Sequence, residues 1–255
     1  MNRIKKLFKS KKVRLIPFLT AGYPDLNSTV SLVISAADAG ADMIEIGIPF
    51  SDPQADGPVI QASSQKALDN GMNLKTLFNQ VLEIRKHTDI PMALMGYYNP
   101  ILKIGHETFL DHCISSGIDG LILPDLPFDE AEPFCEKAKL KGISPILLVA
   151  PNTSGSRIRH ISDLAGDLIY AVSILGITGN DLVSKSNLVR YLKRVRKHSL
   201  TPFVVGFGIR TRDDVLWFNN HSDGAVVGSA IIEKINNHPN PSEVVKRFIW
   251  EIRGN

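Results

Sequence analysis

The chain has little cysteine and no long apolar run, and each shortage excludes a class of protein. Cys113 and Cys135 are the two cysteines among 255 residues, too few for a disulfide framework. They lie in stretches of helical pattern, without metal-like spacing and without a neighbouring histidine pair. The sequence therefore predicts free buried thiols, no metal site and a cytoplasmic location. No apolar segment approaches the length of a transmembrane helix, so we expect no membrane span.

The chain also lacks a strong excess of positive or negative residues. The formal net charge is +3, and the basic residues are spread along the chain apart from two concentrations, which argues against a nucleic-acid-binding protein. The first concentration lies within residues 1–12, where Ile4, Leu7 and Phe8 share one helical face. This pattern predicts a short amphipathic helix packed on the body of the protein, with membrane-surface binding as the minor alternative. The second, residues 185–197, predicts an outer helix with a solvated face.

Eight short runs rich in β-branched and aliphatic residues alternate with stretches of helical periodicity. The runs predicted as buried parallel strands are Leu15–Thr20, Met43–Ile46, Met92–Met95, Gly120–Leu123, Pro145–Val149, Leu168–Val172, Phe203–Val205 and Gly224–Val227. The predicted helices are Thr29–Asp38, Ile60–Asp69, Leu74–Lys86, Glu107–Ser115, Asp129–Lys139, Ser156–Leu164, Leu182–Lys197, Arg212–Asn219 and Ser242–Ile252.

Eight strand–helix units in a chain of 255 residues are typical of a closed barrel. The sequence predicts an α/β protein, a single-domain (β/α)8 TIM barrel over residues 1–255 with a short additional N-terminal helix. A doubly wound open sheet is the alternative fold, but it usually has fewer strands or more residues.

The segment of residues 42–58 runs from a predicted strand into a proline-punctuated loop and carries several acids. Glu45 lies within the strand, whereas Asp52 and Asp56 lie in the loop. Because side chains alternate along a barrel strand, Glu45 faces the interior if Ile44 and Ile46 face the helices. Burial raises the pKa of a glutamate toward neutrality, where the group can both donate and accept a proton. The alternative is a structural glutamate paired with an arginine or lysine.

Three glycine-rich stretches follow the sixth, seventh and eighth predicted strands, at residues 175–179, 205–210 and 227–231. In barrels of this type the loops after the last two strands often bind a phosphate through backbone N–H groups. Gly179, Gly208, Gly228 and Ser229 therefore form a candidate anion site that uses no dedicated basic side chain. The alternative is that these glycines only form tight turns.

Five motifs, in order along essentially the whole chain, closely resemble the tryptophan synthase alpha subunit family. They are Ile-Glu-Ile-Gly-Ile-Pro-Phe-Ser-Asp-Pro around Glu45, Ala-Asp-Gly-Pro-Val-Ile-Gln around Asp56, Pro-Asp-Leu-Pro from Pro124, Gly-Ile-Thr-Gly at 176–179 and Gly-Phe-Gly-Ile at 206–209. The resemblance implies a lyase of tryptophan biosynthesis, which cleaves indole-3-glycerol phosphate into indole and glyceraldehyde 3-phosphate. It also implies an alpha2beta2 heterotetramer in which the beta subunit holds pyridoxal phosphate and receives the indole, while this chain carries no cofactor.

The resemblance also assigns roles to residues. It implies that Glu45 is the general acid and base of a retro-aldol cleavage and that Asp56 stabilises charge at the indole nitrogen. Asp52 is the rival acid in the same loop and is more typical of a turn or N-cap residue. Thr178 matches a residue that links the loop after the sixth strand to the Asp56 loop. The positions that match the family's apolar indole slot are Phe18, Ile60, Tyr170 and Phe207, for each of which core packing is the alternative.

The sequence departs from the family pattern in two places. Ile174 and Leu175 stand where some members have an arginine and then a small residue, and Gln54 stands where an aliphatic residue is more familiar. Gln54, Asp125 and Pro127 lie near the surface expected to face the beta subunit. Two other functions stay open: a non-catalytic barrel that activates a beta subunit, and another phosphate-sugar isomerase, which would lack the segment from Glu45 to Gln61.

Overall fold

The computed structural model describes residues 2–10, 14–173, 185–206, 208–236 and 238–254. Its eight parallel strands close into a barrel in sequence order, with β1 paired to β8. The strands are β1 (Leu15–Thr20), β2 (Ile44–Gly47), β3 (Met92–Met95), β4 (Gly120–Ile122), β5 (Ser144–Val149), β6 (Ile169–Val172), β7 (Phe203–Gly206) and β8 (Gly224–Val227). The helices are α1 (Arg3–Leu7), α2 (Ser28–Asp38), α3 (Pro58–Asp69), α4 (Leu74–Arg85), α5 (Tyr98–Ile104), α6 (His106–Ser116), α7 (Phe128–Leu140), α8 (Gly155–Ala165), α9 (Lys185–His198), α10 (Arg212–Asn219), α11 (Ser229–Ile235) and α12 (Pro241–Arg253).

The predicted barrel is confirmed. Every predicted strand occurs, with its ends shifted by no more than one residue. Helix α3 begins at Pro58 rather than at Ile60, because proline suits the first position of a helix. Helices α5 and α11 were not predicted, since each has only 7 residues. The predicted start of the ninth helix, Leu182, lies outside the described residues.

Helix α1 closes the end of the barrel at which the strands begin. Ile4 is fully buried, and the side-chain amide of Asn2 donates hydrogen bonds to the carbonyl oxygens of Asp119 at 2.7 Å and Gly142 at 2.8 Å. Both carbonyl groups belong to the turns that precede strands β4 and β5. The N-terminal segment thus packs on the protein body, as its apolar face predicts.

The basic segment at residues 185–197 forms most of α9, whose apolar side packs on the barrel. Leu188, Tyr191, Leu192 and Val195 are buried, whereas Arg190, Lys193, Arg196 and Lys197 are exposed. This arrangement is an outer barrel helix with a solvated face.

Both cysteines are buried and form no disulfide, as the sequence predicts, and burial raises the pKa of the Cys135 thiol to about 11. Within the described ranges, no helix has the length and apolar character needed to cross a membrane. In the same part of the chain, no three His, Cys, Asp or Glu side chains are grouped so that they could hold a metal ion.

Candidate active site

Glu45 faces the interior of the barrel near the end at which the strands finish. Its neighbours Ile44 and Ile46 are fully buried, and the alternation of β2 directs Glu45 to the opposite side of the strand. There it lines a cavity together with Phe18 and Tyr170. Phe18 is also the residue of β1 that pairs with Glu45. The inward direction predicted for Glu45 is therefore observed.

The Glu45 carboxyl group is buried, with no hydrogen-bond partner among the described residues. The residue is 1% exposed, and neither of its oxygens accepts a hydrogen bond from the part of the chain that the structure describes. Because burial disfavours the charged form, the pKa of Glu45 is raised to about 8. The paired structural glutamate considered from the sequence is thus not found among the described residues. At neutral pH the group is mostly protonated and can still release its proton.

Asp56 reaches the same cavity from the loop between β2 and α3. The Tyr97 hydroxyl donates a hydrogen bond to Asp56 Oδ2 at 3.0 Å and accepts one from the Ala55 N–H at 2.9 Å. Burial raises the pKa of Asp56 to about 6, and the hydrogen bond from Tyr97 opposes that rise. Asp56 is therefore mostly ionised at neutral pH, whereas Glu45 is mostly protonated.

Tyr97 is absent from the site residues that the sequence predicts. It follows β3 by two positions, and its ring stacks on Phe50 with the centroids 5.1 Å apart. Through its donated and accepted hydrogen bonds it ties the Asp56 loop to the end of another strand. Its location just beyond the carboxyl end of a barrel strand is the signal that could have indicated it.

The cavity has a volume of about 530 Å³ and its lining is mostly apolar. It brings together six of the residues predicted for indole and phosphate: Phe18, Ile60, Tyr170, Gly208, Gly228 and Ser229. Thr178, Gly179 and Phe207, like Ile174 and Leu175, lie outside the described residues. Apolar lining that the sequence did not indicate comes from Met95, Pro124, Leu148, Val172, Ile209 and Val226. The roles of the predicted residues toward substrate stay predictions.

Two glycines make room for the aromatic rings of the cavity. A Cβ atom at Gly47 would lie 2.4 Å from the Phe18 ring, and one at Gly206 would lie 1.7 Å from the Tyr170 hydroxyl oxygen. Both separations are far below van der Waals contact, so any larger residue would displace the rings. The shape of the apolar slot therefore depends on these two positions.

The glycine-rich rim of the cavity carries a cation that the sequence analysis did not anticipate. Arg210 lines the cavity beside Gly208, and Glu233 lines it from α11, where the two side chains form an ion pair. The anion site without a dedicated basic side chain stays a prediction, with Arg210 lying beside two of its residues, Gly208 and Ser229, in the cavity lining. Arg210 directly follows the Gly-Phe-Gly-Ile motif, but its partner comes from a different element and is not evident from the sequence.

The three residues expected to face a partner are exposed at the same end of the barrel and do not line the cavity. The Asp125 carboxylate accepts the backbone N–H of Tyr98 at 2.9 Å and 3.0 Å, Pro127 precedes α7, and Gln54 lies in the Asp56 loop. Asp52 is exposed as well, and its carboxylate accepts the Ser51 hydroxyl at 2.6 Å. Asp52 is therefore an exposed loop residue rather than a second acid of the cavity.

Known proteins match the whole chain. The family model described as tryptophan synthase alpha chain matches residues 4–253. The tryptophan synthase alpha chain of Petrotoga mobilis is 44% identical over 257 residues, covering 99% of each chain; that of Flavobacterium psychrophilum is 42% identical, covering 99% of this chain and 100% of the relative. A solved structure of the a2b2 tryptophan synthase complex of Pyrococcus furiosus includes a chain with 39% identity and a TM-score of 0.89, covering 96% of this chain and 99% of that one.

Proposed function

The chain belongs to the tryptophan synthase alpha chain family, and from that premise we propose that Glu45 and Asp56 carry out its reaction. The reaction is the lyase step in which indole-3-glycerol phosphate is cleaved into indole and glyceraldehyde 3-phosphate. It requires a proton on the indole ring carbon that bears the side chain, loss of the side-chain hydroxyl proton, and stabilisation of the charge that develops on the ring nitrogen. The observation that carries the proposal is the pair of acids in one cavity, with pKa values on either side of neutrality.

The two acids have different roles: Glu45 carries both proton transfers, and Asp56 stabilises charge. Protonated Glu45 donates its proton to the ring carbon, and the resulting carboxylate accepts the proton of the side-chain hydroxyl as the carbon–carbon bond breaks. Glu45 thus ends the cycle in the protonated state in which it began. Asp56, ionised at neutral pH, accepts a hydrogen bond from the indole N–H and stabilises the positive charge on the ring. The separation of the two pKa values thus lets one carboxyl group transfer protons while the other stays ionised and stabilises charge.

The apolar and glycine-rich parts of the cavity hold the two ends of the substrate. We assign the indole ring to the slot formed by Phe18, Ile60, Tyr170 and Phe207. The phosphate is assigned to the backbone N–H groups at Gly179, Gly208, Gly228 and Ser229, where glycine allows close approach. Thr178 is assigned to the contact between its own loop and the Asp56 loop when both close over substrate.

The chain works in an alpha2beta2 complex with a beta subunit, which faces Gln54, Asp125 and Pro127. The family needs no cofactor for the alpha reaction, so we assign pyridoxal phosphate to the beta subunit and none to this chain. We propose one domain over residues 1–255 and a cytoplasmic location.

The test is indole release from indole-3-glycerol phosphate by the chain alone and with a beta subunit. Glu45→Gln and Asp56→Asn should each lower the rate by about a hundredfold or more, because each removes a group that acts on the reacting atoms. Asp52→Asn is the matched control, since it removes an exposed carboxylate from the same loop and should leave the rate of the isolated chain unchanged. Wild-type rates that persist in Glu45→Gln would contradict the proposal.

A further inference from the structure

Arg210 and Glu233 form an ion pair that no step of the proposed reaction uses. Arg210 Nη1 donates to Glu233 Oε1 at 3.4 Å while Nη2 donates to Oε2, so the guanidinium fork spans the carboxylate. The two side chains are 52% and 40% exposed. Both line the cavity that holds Glu45 and Asp56, and an ion pair this exposed contributes little to folding stability.

The charges that line the cavity indicate that this ion pair bears on the binding of an anionic ligand. Among the described residues that line the cavity, Arg210 is the one cation, whereas Glu45, Asp56 and Glu233 are acids. A phosphate monoester carries a charge of about −1.5 to −2 at neutral pH, so a nearby carboxylate repels it. A guanidinium is the side chain whose planar fork best matches phosphate oxygens.

The positions of the two residues place the pair at the glycine-rich rim. Arg210 lies two residues after Gly208, and Glu233 lies four residues after Ser229 on α11, a spacing that puts both side chains on one face of a helix. The Arg210 N–H donates to Asp214 Oδ2 at 3.0 Å, within the capping box that begins α10. The Arg210 backbone is therefore anchored beside the predicted anion site, while its side chain is long enough to change partner.

We propose that Arg210 binds the phosphate group of the substrate and that Glu233 competes with the phosphate for the guanidinium. This inference rests on the proposed function, because it adds a charged partner to the phosphate site assigned there. Without ligand the Glu233 carboxylate occupies the guanidinium fork; an arriving phosphate ester displaces it. Glu233 thus lowers the affinity for phosphate esters, and Arg210 raises it.

The test is the binding of glycerol 3-phosphate, an unreactive phosphate monoester, to the full chain by calorimetric titration. Arg210→Ala should weaken binding by about tenfold, as expected for loss of a charge-assisted hydrogen bond. Glu233→Gln should tighten binding about threefold or more, because it removes the competing charge. Indole, which has no phosphate, should bind equally to all three proteins. If the ion pair were only structural, either substitution would break it with the same consequence. Affinities for glycerol 3-phosphate that change in the same direction in both variants, or in neither, would therefore overturn the proposal.

Two comparisons make the outcome specific. Arg196→Ala removes an arginine of similar exposure, 49%, whose partner is Asp223 at the opposite end of the barrel; it should leave glycerol 3-phosphate binding unchanged. An equal weakening in Arg196→Ala would make net charge the cause and overturn the proposal. Indole release by the wild type is measured alongside. No release would contradict the proposed function, whereas normal release with an unchanged KM in Arg210→Ala would contradict only the role of Arg210.

Discussion

The two ends of the barrel both bury acids, but they surround them differently. At the end where the strands begin, Asp119 is 4% exposed and accepts hydrogen bonds from Arg3 at 3.1 Å, Arg85 at 2.7 Å and the Met92 N–H at 2.9 Å. At the other end, Glu45 is 1% exposed and accepts none from the described residues. A buried carboxyl with partners supports the structure, whereas one without partners opposes it and gains a perturbed pKa. From this difference we infer that the first is a stabilising end and the second the reactive end of the barrel.

Aspartates with hydrogen-bond partners recur at the end of the barrel where the strands begin. Asp42, Asp119 and Asp223 lie just before β2, β4 and β8, and each accepts the N–H of the first residue of the preceding strand, at 2.8 Å, 2.9 Å and 2.9 Å. Each also pairs with an arginine. Asp167, just before β6, accepts the hydroxyl of Ser144, the first residue of β5, at 2.7 Å. An acid before every second strand thus ties neighbouring strands together.

We expect the largest effect on stability from removing an ion pair at the end of the barrel where the strands begin. Asp119→Asn leaves Arg85 buried without its charge partner, and we expect a loss of about 3 kcal/mol in the free energy of unfolding. Indole release per folded molecule should be unchanged, because the cavity lies at the other end of the barrel. Urea denaturation and the indole assay give the two readouts. Asp89→Asn is the control, since Asp89 also pairs with Arg3 but its side chain is 91% exposed; unaltered stability in Asp119→Asn would contradict the comparison.

A smaller effect is expected at the reactive end from Tyr97→Phe, which removes the hydrogen bond to Asp56. Because that bond lowers the pKa of Asp56, its loss should raise the pKa and move the acidic limb of the kcat/KM profile to higher pH. The rate at neutral pH should fall several-fold, in line with a contribution of about 1 kcal/mol from one hydrogen bond. The substrate phosphate also titrates near pH 6, so the readout is the difference between variant and wild type. An unmoved acidic limb would contradict the positioning role of Tyr97.

Most of the fold was predictable because its signals are local. The apolar runs of buried parallel strands and the helical periodicity between them placed every strand to within one residue. Helix α5 was missed because its first turn, Tyr98-Asn-Pro, resembles a loop and 7 residues are too few for a clear period. Helix α11 was missed for the same reason of length.

The site was predictable only in part, because its partners come from distant segments. The alternation along β2 was enough to direct Glu45 inward. The contact between Asp56 and Tyr97 spans 41 residues, and that between Arg210 and Glu233 spans 23, so neither appears as a local pattern. The aspartates that precede β2, β4, β6 and β8 can be seen in the sequence. Their role cannot, because it depends on which backbone N–H groups of the neighbouring strand lie next to each carboxylate in the closed barrel.

The most direct test of the contrast between the two ends is the free energy of unfolding of wild type and Glu45→Gln between about pH 5 and pH 8. The pKa of Glu45 is raised from 4.5 to about 8 in the folded protein. As pH rises through this range, the unfolded chain loses the proton while the folded chain retains it, so the wild type should lose stability with pH. The glutamine variant lacks this titration. We therefore expect it to become more stable than the wild type by an increasing margin toward pH 8, whereas parallel curves would contradict an unpaired acid at the reactive end.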